Sequence, residues 1–558
     1  MFTNSPTIPD HPILSMKGRV PRGVLILLAS MILVVASGCT GIQEYINNGF
    51  KVGPNYKKPP APVASEWIDS KAKGISIATE DLSGWWRVFN DPVLDTLIQQ
   101  AYQQNLTLRS AGTRILAARG QRNIAAGNLF PQTQQALADY SRNQRSRNVA
   151  NPVSREIFSG QTIGTRFFDD WAVGLNLSWE LDFWGRFRRS LEATNADLDA
   201  SVENYDDALV LLISEVATTY VQIRIFQKEL YYIGKNIEYQ EQFVKQAEDR
   251  LKGGAGRMID QAQMRSNLRD TLALKEQVEI ALRQANNALC VLLGIPVVDL
   301  LPQFGPGEIP LSGKNEVPPE IAVGMPADLL RRRPDIRRAE RLVAGQSARI
   351  GVATSDLYPR ISIIGTLGYE AANFADLFSP GSLIGTIGPS VRWDILNYGR
   401  LVNGIRVQDA LFQTLVLDYQ NLVLTAGREV EDGIVLFLRS QRRTNELVLS
   451  ADEAEIAVKE ALKLSRDVKF DLNTAFVTAN FLVGQQDKLA QAQGDIALGL
   501  IQIYKALGGG WEIRLPDSVP GGKHHRRHGP GAPMMDERPM LLPPEAPVEE
   551  VGPAPRRP

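Results

Sequence analysis

"WAVGLNLSWELDFWGR", residues 171–186, alternates apolar and polar side chains along almost its whole length. Trp171, Val173, Leu175, Leu177, Trp179 and Leu181 share one parity; Ala172, Gly174, Asn176, Ser178, Glu180 and Asp182 share the other. A period of two predicts a strand with one apolar face and one polar face. The flanking chain has helical periodicity instead. From about Arg186 to Lys252 there is no proline and the apolar residues keep a helical rhythm; at 1.5 Å per residue that helix is roughly 100 Å long. A second helix is expected from about Met258 to Leu293. An earlier one runs from Pro92 to about Asn128, with Asp91 as N-cap and Pro92 at its first position.

The same programme then recurs. "WDILNYGR" answers "WELDFWGR", with 393 − 179 = 214. Glu429-Val430 answers Glu215-Val216, and Leu507-Gly508 answers Leu293-Gly294, at the same offset of 214. "LYPR" answers "LFPQ" at 359 − 131 = 228, so the stretch between the paired strands is shorter by 228 − 214 = 14 residues in the second copy. Three agreeing offsets mark an internal duplication, and the length difference belongs in a surface loop. Each copy supplies two strands. Gln132–Tyr140 alternates poorly; Ile361, Ile363, Leu367 and Tyr369 alternate well, as do Ile387, Val391, Trp393 and Ile395.

The expected organisation is a signal segment at 1–38, an extended N-terminal segment at 39–91, a first repeat at 92–300, a linker at 301–325, a second repeat at 326–512 and a Pro/Gly-rich disordered tail at 513–558. The first segment carries Lys17, Arg19 and Arg22, then "GVLILLASMILVVA", then "ASGC" ending at Cys39. A basic lead, a short apolar run and small residues before the cut predict export. The "ASGC" resembles a bacterial lipobox, which implies lipidation at Cys39 and a lipid-anchored, exported protein.

The bulk numbers exclude more than they select. The chain has 558 residues and a formal net charge of -1, so nothing draws it to nucleic acid. Its histidines are His11, His524, His525 and His528, leaving 39–523 without any. His-dependent triads and His-ligated metal sites are thereby removed from the folded body, and no enzyme, cofactor or metal is expected. Cys290 then has no disulfide partner and reads as a small buried hydrophobe. The arginine run "LLRRRPDIRRAER" reads as a solvated or inter-helix face, with Pro334 and Asp335 opening a helix.

Alternation alone also fits a soluble sheet with one buried face. Export and strand number favour a membrane strand. Strands of about ten residues match the hydrocarbon core, and aromatic residues at their ends suit its interfaces. Four strands cannot close a barrel, and an open edge cannot face lipid. Several chains must therefore pool their strands, polar side to a lumen.

"VGPNYKKP", "GWWRVFNDPVLDTLI", "PADLLRRRPDIRRAE", "ARIGVATSDLYPRIS" and "LAQAQGDIALGLIQIYKALGGGW" together resemble the outer membrane factors, the TolC-like channels, and within them the NodT-type lipoproteins of tripartite efflux pumps. The resemblance implies a mostly α fold with a small β part. Long helical hairpins would form an α-barrel in the periplasm, and four transmembrane strands per chain would enter a homotrimeric twelve-stranded β-barrel. It implies a passive exit duct for small molecules, working with a periplasmic adaptor and an inner-membrane RND-type pump. A type I protein-secretion channel and a non-channel lipid-anchored coiled-coil tether are the alternatives. It further places adaptor contact at the hairpin tips, at Arg250, Gly253, Gly254 and Asp260 in the first and Arg466 and Asp471 in the second. The periplasmic aperture falls at Val477, where many relatives carry aspartate. Val468 stands where relatives have glycine, so the second turn must be made differently, with Asn473 a candidate for it.

Overall fold

The computed structural model describes residues 42–78, 81–144, 146, 167–305, 308–311, 321–467 and 470–515. Cys39, Val468 and nearly all of the C-terminal tail lie outside the described residues. The protein is mostly helical. Its helices are α1 (Ile42–Asn47), α2 (Pro92–Gln104), α3 (Leu106–Gly127), α4 (Arg186–Lys252), α5 (Met258–Leu293), α6 (Pro334–Ser355), α7 (Arg400–Leu464) and α8 (Leu472–Ala506), besides shorter turns. Its main strands are β1 (Thr133–Gln144), β2 (Phe167–Glu180), β3 (Arg360–Ala371) and β4 (Leu383–Arg392). The chain divides into two compact units, one built from residues up to 55, 127–190 and 348–406, the other from 56–126, 191–347 and 407 onward.

The duplication is written into the element bounds. Helices α4 and α7 begin 400 − 186 = 214 residues apart, and α5 and α8 begin 472 − 258 = 214 apart. The left-handed glycines that precede and follow these hairpins repeat too: Gly185 and Gly399 (φ +81° and +80°), Gly294 and Gly508 (φ +71° and +74°).

In the first unit the strands form one antiparallel sheet in the order β1-β2-β3-β4. Leu175 of β2 sits opposite Ala136 of β1 and Leu367 of β3, which fixes the parity of the whole sheet. The quoted alternation overruns the strand. β2 begins earlier, at Phe167, and stops at Glu180. Asp182, next in the alternation, instead accepts the backbone N–H groups of Phe187 (2.9 Å) and Arg188 (3.0 Å) and starts α4. Likewise β4 ends at Arg392, before Trp393 and Ile395, while β1 runs on to Gln144.

In the second unit the core is built from Trp86, Leu94, Ile98, Leu108, Leu209, Tyr220, Leu289 and Leu500, all nearly solvent-free, and Cys290 is buried among them. Asp91 caps α2 by accepting from Val93 (2.9 Å) and Leu94 (3.4 Å). The single helix expected from Pro92 onward is broken at Asn105. That side chain accepts from the Leu108 N–H at 2.8 Å and donates to the Leu292 carbonyl at 2.9 Å, capping a new helix. The arginine run is an inter-helix face, as expected. Arg333 binds Asp335 and Glu429 (2.7 and 2.6 Å), and Arg337 reaches Glu203 at 2.6 Å. Helix α4 contains a window apolar enough to cross a membrane, but 72% of that window is buried inside the protein, which marks a core helix.

Candidate functional site

Two places carry functional geometry, one in each unit. The first is the sheet. One face presents Ala136, Ala138, Val173, Leu175, Leu177, Ile363, Leu367, Ile387 and Val391. Leu175 and Leu367 are 58% and 56% exposed, and Ile387 is 79% exposed. The opposite face presents Thr133, Gln135, Asn176, Ser178, Thr366, Thr386 and Ser390. A concavity of about 280 Å³ lies on this polar side, lined mainly by those residues and Ile364. A sheet that is polar on its hollow side and apolar on its open side is the reverse of a soluble sheet, which would bury the apolar face.

Aromatic rings mark both ends of the strands. At one end Trp171 packs on Tyr140 (4.2 Å between centroids) and Phe374 (5.0 Å). At the other, Trp179, Trp184 and Trp393 donate their indole N–H groups to the carbonyls of Leu129, Pro359 and Leu357 at 3.3, 2.8 and 3.0 Å. Sequence patterning found Trp171, Trp179 and Trp393 but not their neighbour Trp184, which stacks on Tyr358 and meets Tyr45 of α1. It also missed the clamp below. Arg188 donates to the Gly49 and Phe50 carbonyls (2.7 and 2.8 Å), and Arg189 to those of Val52 and Gly53 (3.1 and 3.0 Å). The segment that follows Cys39 is thus pinned to the first turn of α4. An Arg-Arg pair after a left-handed glycine is the one local signal for it.

The second place is the pair of hairpin tips. The α4–α5 turn is Gly253-Gly254-Ala255-Gly256-Arg257. Gly254 has φ +77°, in the left-handed region that favours glycine. Gly253 has no such need, whereas a Cβ on Gly256 would fall 2.7 Å from the Leu251 nitrogen and 2.9 Å from the Arg250 carbonyl carbon. Asp260 is buried and accepts from Nη2 and Nε of Arg257, at 2.8 and 3.0 Å. Arg250 turns across to the second tip, donating to the carbonyls of Ser465 (2.8 Å), Phe470 (2.9 Å) and Asp467. Arg466 is exposed. Asp471 caps α8 by accepting from Asn473 at 3.1 Å, so Asn473 lies inside the helix and does not make the turn. Val477 is 56% exposed on α8, one helical turn from the exposed Phe481.

Comparison with known proteins decides the family. The model of the outer membrane efflux protein family matches residues 97–295 and 325–509, one match for each copy of the duplication. The chain belongs to that family. Among curated members, nodulation protein T of Rhizobium leguminosarum bv. trifolii is 28% identical over 422 residues, 75% of this chain and 84% of that protein. The solvent efflux pump outer membrane protein SrpC of Pseudomonas putida is 29% identical over 475 residues, 83% and 96% of the two chains. Of solved structures, the outer-membrane channel OprN superposes with a TM-score of 0.74 at 29% identity, over 83% of this chain and 99% of the other. As an outer membrane efflux protein, the chain sits among channel proteins, and its two-faced sheet is read accordingly.

Proposed function

We propose that this efflux protein is the exit duct of a tripartite pump, in which three copies pool their strands into one twelve-stranded barrel. The observation that carries the reading is the β1-β2-β3-β4 sheet, apolar on one face, polar and hollow on the other, with β1 and β4 as edge strands. Unpaired edges cannot stand in hydrocarbon, so β4 of one copy pairs with β1 of the next. Cys39 supplies the lipid anchor, and the Arg188–Arg189 clamp holds the following segment beside the Trp184 cluster at the membrane interface.

At the tips, Gly253, Gly254, Arg466 and Asp471 face a periplasmic adaptor, which joins the duct to an inner-membrane RND-type pump. Arg250 and Asp260 act from behind that surface: one ties the two tips together, the other fixes Arg257. Val477 lines the periplasmic aperture and leaves it without the carboxylate ring that an aspartate there would form. The duct performs no chemistry; solutes pass down the gradient that the pump maintains.

The test is the mass of the detergent-solubilised protein combined with its conductance in a planar bilayer. A trimer that forms discrete channels is expected. A monodisperse monomer, or a trimer that stays silent, overturns the reading.

A further inference from the structure

The polar face of the sheet is not uniformly polar; its charges are sorted by position along the strands. Asp139 of β1 and Glu370 of β3 both register with Ala172 of β2, and Asp170 lies two residues away on the same face. None of the three has an ion-pair partner among the described residues. Asp169, on the apolar face, does have one, in Arg142 at 3.7 Å. At the opposite end of the strands the same face carries Glu180, Arg360 and Arg392. Glu180 is neutralised by Arg186 at 3.3 Å and Arg360 by Asp356 at 2.8 Å, which leaves Arg392 with no ion-pair partner among the described residues. Arg392 stands directly opposite Arg360, an arrangement of like charges that costs stability. Between the two ends the wall is neutral: Gln135, Asn176, Ser178, Thr366 and Thr386 line the concavity.

At about 3.3 Å per residue the ends are roughly 30 Å apart along β2. The Debye length at physiological salt is about 8 Å, so each end sets its own local ion population and the two do not cancel. The carboxylate end is the one remote from α4, since β2 leads into that helix at its Glu180 end.

The geometry points to a bipolar lumen wall. The carboxylates Asp139, Asp170 and Glu370 concentrate cations at the outer mouth of the duct. Arg392, backed by Arg360, opposes them at the inner end, so that the duct favours cationic solutes and passes current unequally in the two directions. This rests on the barrel reading above. It assigns to the β-barrel itself a specificity that the neutral Val477 does not supply at the tips.

The test is the reversal potential and current–voltage curve of the full-length lipidated trimer in planar bilayers, under a roughly tenfold KCl gradient. The D139N/D170N/E370Q variant is expected to lower the cation-to-anion permeability ratio at least about twofold and to flatten the rectification. R392Q is expected to raise that ratio, which keeps the inference testable should the triple variant fail to insert. Near 1 M KCl, where the Debye length is about 3 Å, wild type and variants should converge. Wild-type channels whose ratio and rectification are unchanged by either variant overturn the bipolar wall while leaving the barrel standing. A wild-type trimer with no conductance overturns the barrel reading, and this inference with it.

Discussion

Arg250, near the end of α4, donates its guanidinium to the carbonyl oxygen of Phe470 at 2.9 Å, across 220 residues of sequence. Further bonds from the same group to the Ser465 and Asp467 carbonyls make it the tie between the two hairpin tips. Arg250→Ala strands those carbonyls, and charged-donor bonds of this kind are worth about 1.5–3 kcal/mol each. The expected outcome is faster amide exchange confined to residues 461–475, unchanged exchange in α2 and α3, and reduced efflux in cells. Arg250→Lys should restore only part of the protection, because a lysine has no planar fork. Uniform exchange across both tips and body in the alanine variant would remove the tie.

The three glycines of the first tip should separate cleanly. Gly253→Ala meets only ordinary contacts of 3.4 and 3.6 Å and is expected to be silent. Gly254→Ala places a Cβ at φ +77°, at a cost of about 1–2 kcal/mol. Gly256→Ala drives a Cβ against the backbone of Leu251 and Arg250 and should be the worst of the three. Limited proteolysis at Arg250, Lys252 and Arg257 gives the ranking; a Gly253 variant cut faster than the Gly256 variant would contradict it.

Much of this molecule was legible because its elements are long and strongly periodic. Met258–Leu293 coincides with the helix that its pattern predicts, and the offset of 214 residues reappears in helix starts and in left-handed glycines. Ends were less legible. The parity of "WELD" runs past Glu180 because alternation records side-chain polarity, whereas Asp182 is polar in order to cap α4. Asn105 breaks a helix by capping Leu108 three residues on, a common role for Asn, and by a bond to Leu292, 187 positions away, which the local pattern does not show. At the tips, the break between the two expected helices falls where the chain turns, between Lys252 and Met258. The inward role of Arg250 depends on Phe470, 220 residues away, which only the folded chain brings near, whereas Asp260 is held by Arg257, three residues before it.

Glu229 of α4 and Asp487 of α8 hydrogen-bond one another, while Gln491 holds Asp487 from the next turn (3.2 and 3.3 Å). Burial, reinforced by the charge of Asp487, pushes Glu229 up from 4.5 to about 7; burial also raises Asp487. A carboxyl group whose folded value exceeds its unfolded one binds more protons in the folded state. Its stabilisation is therefore complete below about pH 4.5 and is lost as pH rises through about 7. The melting temperature should fall between about pH 5 and pH 8. Glu229→Gln should flatten that slope and melt ~1–3 °C above wild type at about pH 8. Parallel curves for the two proteins would show that the pair does not share a proton.

The two faces of β2 should respond oppositely to the same charge. Leu175, opposite Leu367 and Ala136 in mid-strand, lies on the apolar face, and Asn176 beside it lies on the hollow one. A lysine near the bilayer midplane costs about 2–4 kcal/mol on the lipid side of a barrel and little on the lumen side. Every chain contributes the position, so the cost at Leu175 is met three times in one trimer. Leu175→Lys should therefore reduce the yield of assembled trimer in the outer membrane, whereas Asn176→Lys should assemble normally and only shift ion preference toward anions. Quantifying unheated trimer on a gel, together with the reversal potential of each variant, distinguishes the faces. Normal assembly of Leu175→Lys alongside failure of Asn176→Lys would mean that the sheet faces lipid with its other side.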